Sequence, residues 1–236
     1  MCAGARSKRG RSCVGGATRG KRVPRAVREQ QMLDAAVRAF ARSGYQHASM
    51  DDIAELAGVS KPLVYLYLRS KEELFAACIR REVAALVAAV RAAVERGAPA
   101  DRQLWSGLSG FFAHTAAHPD GWTLLHVQAR THGRPFAREV AAMREELVTF
   151  VTQLLAAAAR DNAARDQLAR ADVSAIAHAL VGAAESLADW AGDQGGPSAQ
   201  EAAATLMDFA WAGLGNVLRG EGWSCEAVSH QAAYDG

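Results

Sequence analysis

Residues 49–75 read SMDDIAELAGVSKPLVYLYLRSKEELF, and three helix starts are legible in that stretch. Ser49 stands where an N-cap belongs, and Asp51 and Asp52 follow in the first turn, where the helix dipole favours acids. Ile53, Leu56 and Ala57 give this helix an apolar side, and Gly58 ends it. Ser60 caps a second helix, which tolerates Pro62 because a first-turn N–H has no helical partner to lose. That helix is short, ending near Leu68. Ser70 then opens a third unit through a capping box completed by Glu73. The third unit is long: Leu74, Ile79, Val83, Leu86, Val87, Val90 and Val94 carry it to about Arg96-Gly97.

Two short helices joined at a glycine and backed by others form a helix-turn-helix unit, whose second helix fits the DNA major groove. Upstream, Met32, Leu33, Ala36, Val37 and Phe40 recur at three and four, so a helix runs from about Arg25 to Ser43-Gly44. In the second short helix Val64 and Leu68, four apart, point back to the core. Lys61 and Tyr65 share the opposite face, and Tyr67 flanks it. Lysines and phenol hydroxyls suit phosphate oxygens. Lys71 opens the next helix, where a cation and free backbone N–H groups can meet one phosphate, and Ser49 offers a similar start.

This segment resembles the tetracycline-repressor (TetR) family of one-component bacterial regulators. The resemblance rests on F-ARSGY at 40–45, S-DDIAELAGVSK at 49–61, VY-Y at 64–67 and SKEELF at 70–75, within roughly 25–85. It implies a nine-helix protomer, a homodimer and a ligand-binding C-terminal domain. It places Ser49, Ser60, Lys61, Pro62, Leu63, Tyr65, Leu66, Tyr67 and Lys71 on the DNA. Leu63 stands where Thr, Ser or Ala is common in the family, Leu66 where a polar residue is common, and Leu68 replaces an aromatic. The base-facing surface is therefore poor in hydrogen-bonding groups. Leu63 and Leu66 are expected to meet thymine methyls, with phosphate contacts holding the register. Packing of Leu66 against the domain core is the alternative.

The rest of the chain supports an all-α reading. Of 236 residues 50% are apolar, alanine is abundant, and no sustained period-2 pattern occurs. Further helices are expected near 101–117, 119–132, 135–160, 171–192 and 198–218, separated by Pro, Gly or Asp breaks. The organisation reads as a disordered basic arm at 1–24, a DNA-binding domain at 25–85 (helix-turn-helix at about 48–67), a ligand-binding and dimerisation domain at 86–220, and a frayed tail at 221–236.

Charge is distributed unevenly. Residues 1–28 hold nine of the 27 Lys/Arg and no acid, so the remainder, with all 25 Asp/Glu, is acidic. A basic arm on an acidic body fits a polyanion partner, and equally a solvated tail. The four cysteines, Cys2, Cys13, Cys78 and Cys225, form no CxxC pair, so neither a disulfide framework nor a zinc ribbon is expected. The basic N-terminus lacks an apolar segment, and no stretch is long and apolar enough to span a bilayer. A cytoplasmic protein without membrane partner is expected.

Large side chains concentrate between 101 and 160. Trp105, Phe111, His114, Trp122, His126, Met143 and Phe150 are candidates for lining an effector pocket, a role that leans on the family. His114 and His118 have a metal-compatible spacing, but no HExxH glutamate accompanies them, and neither a metal nor a cofactor is expected. Ile176, Leu180, Ala183, Leu187 and Trp190, with Phe209, Gly213 and Val217, make stripes suited to a four-helix dimer interface. No nucleophile elbow, P-loop or dinucleotide fingerprint points to an enzyme. The reading is a dimeric regulator, a repressor released from a palindromic operator by a small, mostly apolar effector. The alternative is a non-inducible or architectural DNA-binding protein.

Overall fold

The computed structural model describes residues 24–67, 69–131, 134–161, 173–193 and 195–219, and side chains within these except at 134–135, 157–161 and 214–219. Among the described residues there are nine helices and no strand. Residues 1–23 of the expected arm 1–24, Leu68, Asn162 of the break expected at Asp161-Asn162, and the tail lie outside them.

Helix α1, Arg25–His47, starts after Pro24 and breaks at Gly44, whose φ of 73° is a left-handed conformation that an L side chain resists. Helix α2, Met50–Leu56, begins with a reciprocal box: Ser49 Oγ accepts from the Asp52 N–H at 3.0 Å, and Asp52 Oδ2 accepts from the Ser49 N–H at 3.3 Å. Such a cap contributes about 1 kcal/mol. Gly58, with φ 64°, turns the chain into α3, Lys61–Tyr67. Helix α4, Lys71–Ala93, has Ser70 as its cap, the hydroxyl accepting from the Glu73 N–H at 3.1 Å. The return arm differs from expectation: the Glu73 carboxylate accepts from the N–H of Arg69, one residue before the cap. Helix α4 also ends at Ala93, short of Gly97, and the turn through Gly97 and Pro99 leads into α5, Ala100–Ala117.

The stretch expected as one helix at 119–132 contains a π turn. Helix α6 runs through Pro119–Thr123, the π segment Leu124–Gln128 and Ala129–Thr131. The adjacent Leu124 and Leu125 are both buried, and the widened turn lets both face inward. Helices α7, Arg134–Asp161, α8, Val173–Ala191, and α9, Ala199–Arg219, complete the chain. Helix α5 packs on α4 and α9, α8 packs on α7, and α1 touches α2, α4 and α6.

An aromatic cluster ties the N-terminal helices to the rest. The Phe75 ring lies 4.9 Å from Phe40, 4.8 Å from Tyr45 and 4.8 Å from Phe136, centroid to centroid. Helices α1, α4 and α7 therefore share one core, and α4 continues to Val90 in the wall of the C-terminal half.

Candidate nucleic-acid interface and effector cavity

Helix α3 has one buried and one exposed side. Val64 is fully buried, while Tyr65 and Leu66 are 43% and 75% exposed. Leu66 thus does not pack in the core, which removes that alternative. Lys61 and Pro62 are exposed beside them, and Leu63 is half-buried. Lys61 Nζ donates to Asp51 Oδ2 at 2.7 Å, strapping α3 to α2 and favouring its own charged form. Ser60 contributes its carbonyl, which accepts from the N–H groups of Leu63 and Val64.

The flanks hold two more cations. Lys71 Nζ donates to the Gln46 carbonyl at 3.1 Å and sits 4.7 Å from the Tyr45 ring centroid. Tyr67 is half-buried rather than standing free, and the Arg25 guanidinium lies 5.0 Å above its ring. Arg25 was not singled out by the sequence as a DNA-facing residue; it stands there only as the start of the first helix, among the nine bases of residues 1–28. Its partnership with Tyr67 needs tertiary contact to be seen.

Behind α4 lies a small apolar cavity between α4, α5, α7 and α8, about 50 Å³ in volume and partly open to solvent. Val90, Leu104, Phe111, Leu147, Phe150 and Val181 are among its walls. Two buried acids lie outside it. Glu185 on α8 accepts from Arg130 at 3.2 Å and from Arg144 at 3.3 Å. Glu82 on α4 accepts from Arg81 at 2.7 Å.

Residues 32–78 match the family described as bacterial regulatory proteins, tetR family, and residues 100–213 match a tetracyclin repressor-like C-terminal domain. The transcriptional activator FasR of Mycolicibacterium smegmatis is 32% identical over 205 residues, covering 86% of this chain and 90% of FasR. The chain belongs to the tetR family. A TetR-like transcriptional regulator from Rhodococcus sp. RHA1 superposes with a TM-score of 0.70 at 40% identity, covering 82% of this chain and 99% of that one. The FadR regulator of Bacillus subtilis, solved with stearoyl-CoA, shares the fold at 16% identity, a TM-score of 0.66 and 77% and 96% coverage.

As a tetR-family member the protein is a DNA-binding transcriptional regulator. Its expected pocket residues divide. Phe111 and Phe150 line the apolar cavity. His114 and Trp122 line a smaller hollow beside Glu82. His126 is partly buried, its ring 5.0 Å from Trp122 and its Nε2 4.0 Å from Asp189. Met143 is buried in the core. Trp105 is a correction: it is 37% exposed and not part of the cavity wall, because α5 turns Leu104 and Leu108 inward instead. Burial lowers the basicity of His114, and the stacked His118 lowers it further, against an opposing pull from Glu82.

The expected dimer residues also divide. Trp190 and Phe209 are 55% and 75% exposed, and Gly213 has open space around it. Ile176, Ala183 and Leu187 are partly buried against the core. Leu180 is a second correction: it is buried and lines the cavity, so its side chain is not available to a partner. The Val217 side chain lies outside the described set. No described helix is long and apolar enough to cross a membrane, and no described cluster of His, Cys, Asp and Glu could hold a metal.

Proposed function

We propose that the protein acts as a homodimer that places two α3 helices in successive major grooves of a palindromic operator. A small, mostly apolar effector in the C-terminal cavity opposes that binding. The observation that carries this reading is the reach of α4, which puts Phe75 in the core shared with α1 and Val90 in the cavity wall. A ligand that shifts α4 changes the spacing of the two α3 helices, and DNA and ligand then oppose each other reciprocally. Ser49, Ser60, Lys61, Pro62, Tyr65, Tyr67 and Lys71 hold phosphates, and Leu63 and Leu66 contact base edges. Exposed Trp190 and Phe209 support pairing through α8 and α9.

The walls, apolar apart from Gln103, favour an alkyl or aryl ligand. Stearoyl-CoA, held by the FadR of the same fold, is a reasonable first probe. Fluorescence anisotropy of a bound operator, with and without that probe and a series of alkanols, tests the coupling. A loss of DNA affinity supports it, and unchanged affinity across the series contradicts it. Repression is the default reading for release by ligand. Because the relative FasR is an activator, activation is the second reading, and operator position relative to the promoter decides between them.

A further inference from the structure

Residues 19–25 read RGKRVPR, and Arg19, Lys21, Arg22 and Arg25 are followed by no acid until Glu29. The structure fixes where this run meets the fold. Arg25 is the first residue of α1, and its guanidinium lies 5.0 Å from the ring centroid of Tyr67, the last residue of α3. Among the described residues this guanidinium is held by a ring face and not by a carboxylate, so its charge stays available. Chain connection then limits where the other bases can be. Arg22 and Arg19 stand three and six residues before Arg25. Their Cα atoms therefore lie at most roughly 11 and 21 Å from that of Arg25.

Those limits match the spacing of DNA grooves. With α3 in a major groove, the adjoining minor groove is half a helical repeat away, roughly 17 Å. Arg19, Lys21 and Arg22 can reach it without any movement of α1 or α3. The minor groove of A·T tracts is narrow and carries an enhanced negative potential that draws arginine. The acidic remainder of this chain is the competing polyanion, but it offers little near the run. Glu29, one turn into α1, is partly buried, and the next acid, Asp34, is already paired with Arg81 at 2.7 Å. Duplex DNA, by contrast, presents about one charge per 1.7 Å of its axis.

We propose that Arg19, Lys21 and Arg22 of each protomer lie in the minor groove adjoining its half-site, with Arg25 on Tyr67 holding the run at the end of α3. This rests on the reading of α3 as the helix that meets DNA. The test uses the full chain and a variant with Arg19→Gln, Lys21→Gln and Arg22→Gln. Each selects duplexes from a random-sequence pool, and each is then titrated over a salt series on the duplex the wild type recovers. Both proteins recover the same half-site, and only the wild type recovers A·T pairs beside it. The variant's dependence of log affinity on log salt is flatter by about 0.9 for each cation lost from the contact, up to roughly five for a dimer. A second variant, Arg19→Lys with Arg22→Lys, keeps the charge and restores the slope. Identical flanks and slopes for wild type and the Gln variant overturn the proposal. Tighter DNA binding by the Gln variant also overturns it, since the run would then sit on the acidic body of the protein. If neither protein recovers a shared half-site, the reading of α3 fails, and a contact defined by its place beside the half-site falls with it.

Discussion

The Lys71 ammonium sits 4.7 Å from the centroid of the Tyr45 ring, and the Tyr45 hydroxyl donates to Glu72 Oε1 at 2.9 Å. The break of α1 at Gly44 and the start of α4 are thereby fastened together, and the cation is held at the edge of the proposed DNA face. A pre-positioned lysine loses little freedom on meeting a phosphate. Lys71→Ala should flatten the dependence of log affinity on log salt by about one unit. Anisotropy titrations over a salt series measure this, and an unchanged slope would remove Lys71 from the contact.

Tyr45 also makes stability depend on pH. Burial, then its bond to Glu72, raises its pKa from 10.0 to about 12. The fold thus favours the neutral phenol. Its contribution is complete below pH 10 and is lost as the pH climbs toward 12. Burial pushes the Cys78 thiol from 9.0 to about 12, with the same sign, so the informative quantity is the difference between proteins. Urea midpoints for Tyr45→Phe should fall less steeply than wild type between pH 10 and 12. Parallel curves would contradict this linkage.

Leu66 is exposed, so Leu66→Ala should change unfolding free energy by no more than about 0.5 kcal/mol. It should nevertheless lower operator affinity and abolish the preference for thymine over uracil at one half-site position. Binding to uracil-substituted operators reads this directly. If substitution at every position leaves wild-type affinity unchanged, Leu63 and Leu66 do not read methyl groups.

Phe75 is fully buried among rings from α1 and α7. Phe75→Ala should cost roughly 3–5 kcal/mol in denaturant unfolding. A cost below about 1 kcal/mol would mean that the site collapses freely and that α4 does not couple the two halves through this cluster.

Phe209→Glu tests pairing through α9. The side chain is 75% exposed in the single chain, so the substitution should leave the protomer folded. Sedimentation should show a shift from dimer to monomer, with DNA affinity falling alongside. A variant that remains dimeric would place the interface elsewhere.

Much of this architecture was legible because its signals are local. Ser49 and Ser70 cap their helices through groups three residues away, and Gly44, Gly58 and Gly97 mark turns by their left-handed backbone. What escaped depends on tertiary contact. Leu180 and Trp190 belong to one apolar rhythm, and only the packing of α8 on α7 turns Leu180 into the cavity and leaves Trp190 outside. The π turn at Leu124–Gln128 has no sequence mark beyond two adjacent leucines. Glu82 did carry a signal: it stands four residues before Leu86 and eight before Val90, an acid on an apolar stripe. Its close approach to Gly121, far along the chain, could not be read from that spacing.

The most direct test of the central claim is selection of genomic DNA fragments by the purified protein at stated salt. The account predicts recovery of a discrete palindrome with half-sites about one helical turn apart, as two α3 helices on a two-fold axis require. Recovery of fragments with no shared sequence would contradict it, since the exposed side of α3 would then bind DNA without reading it.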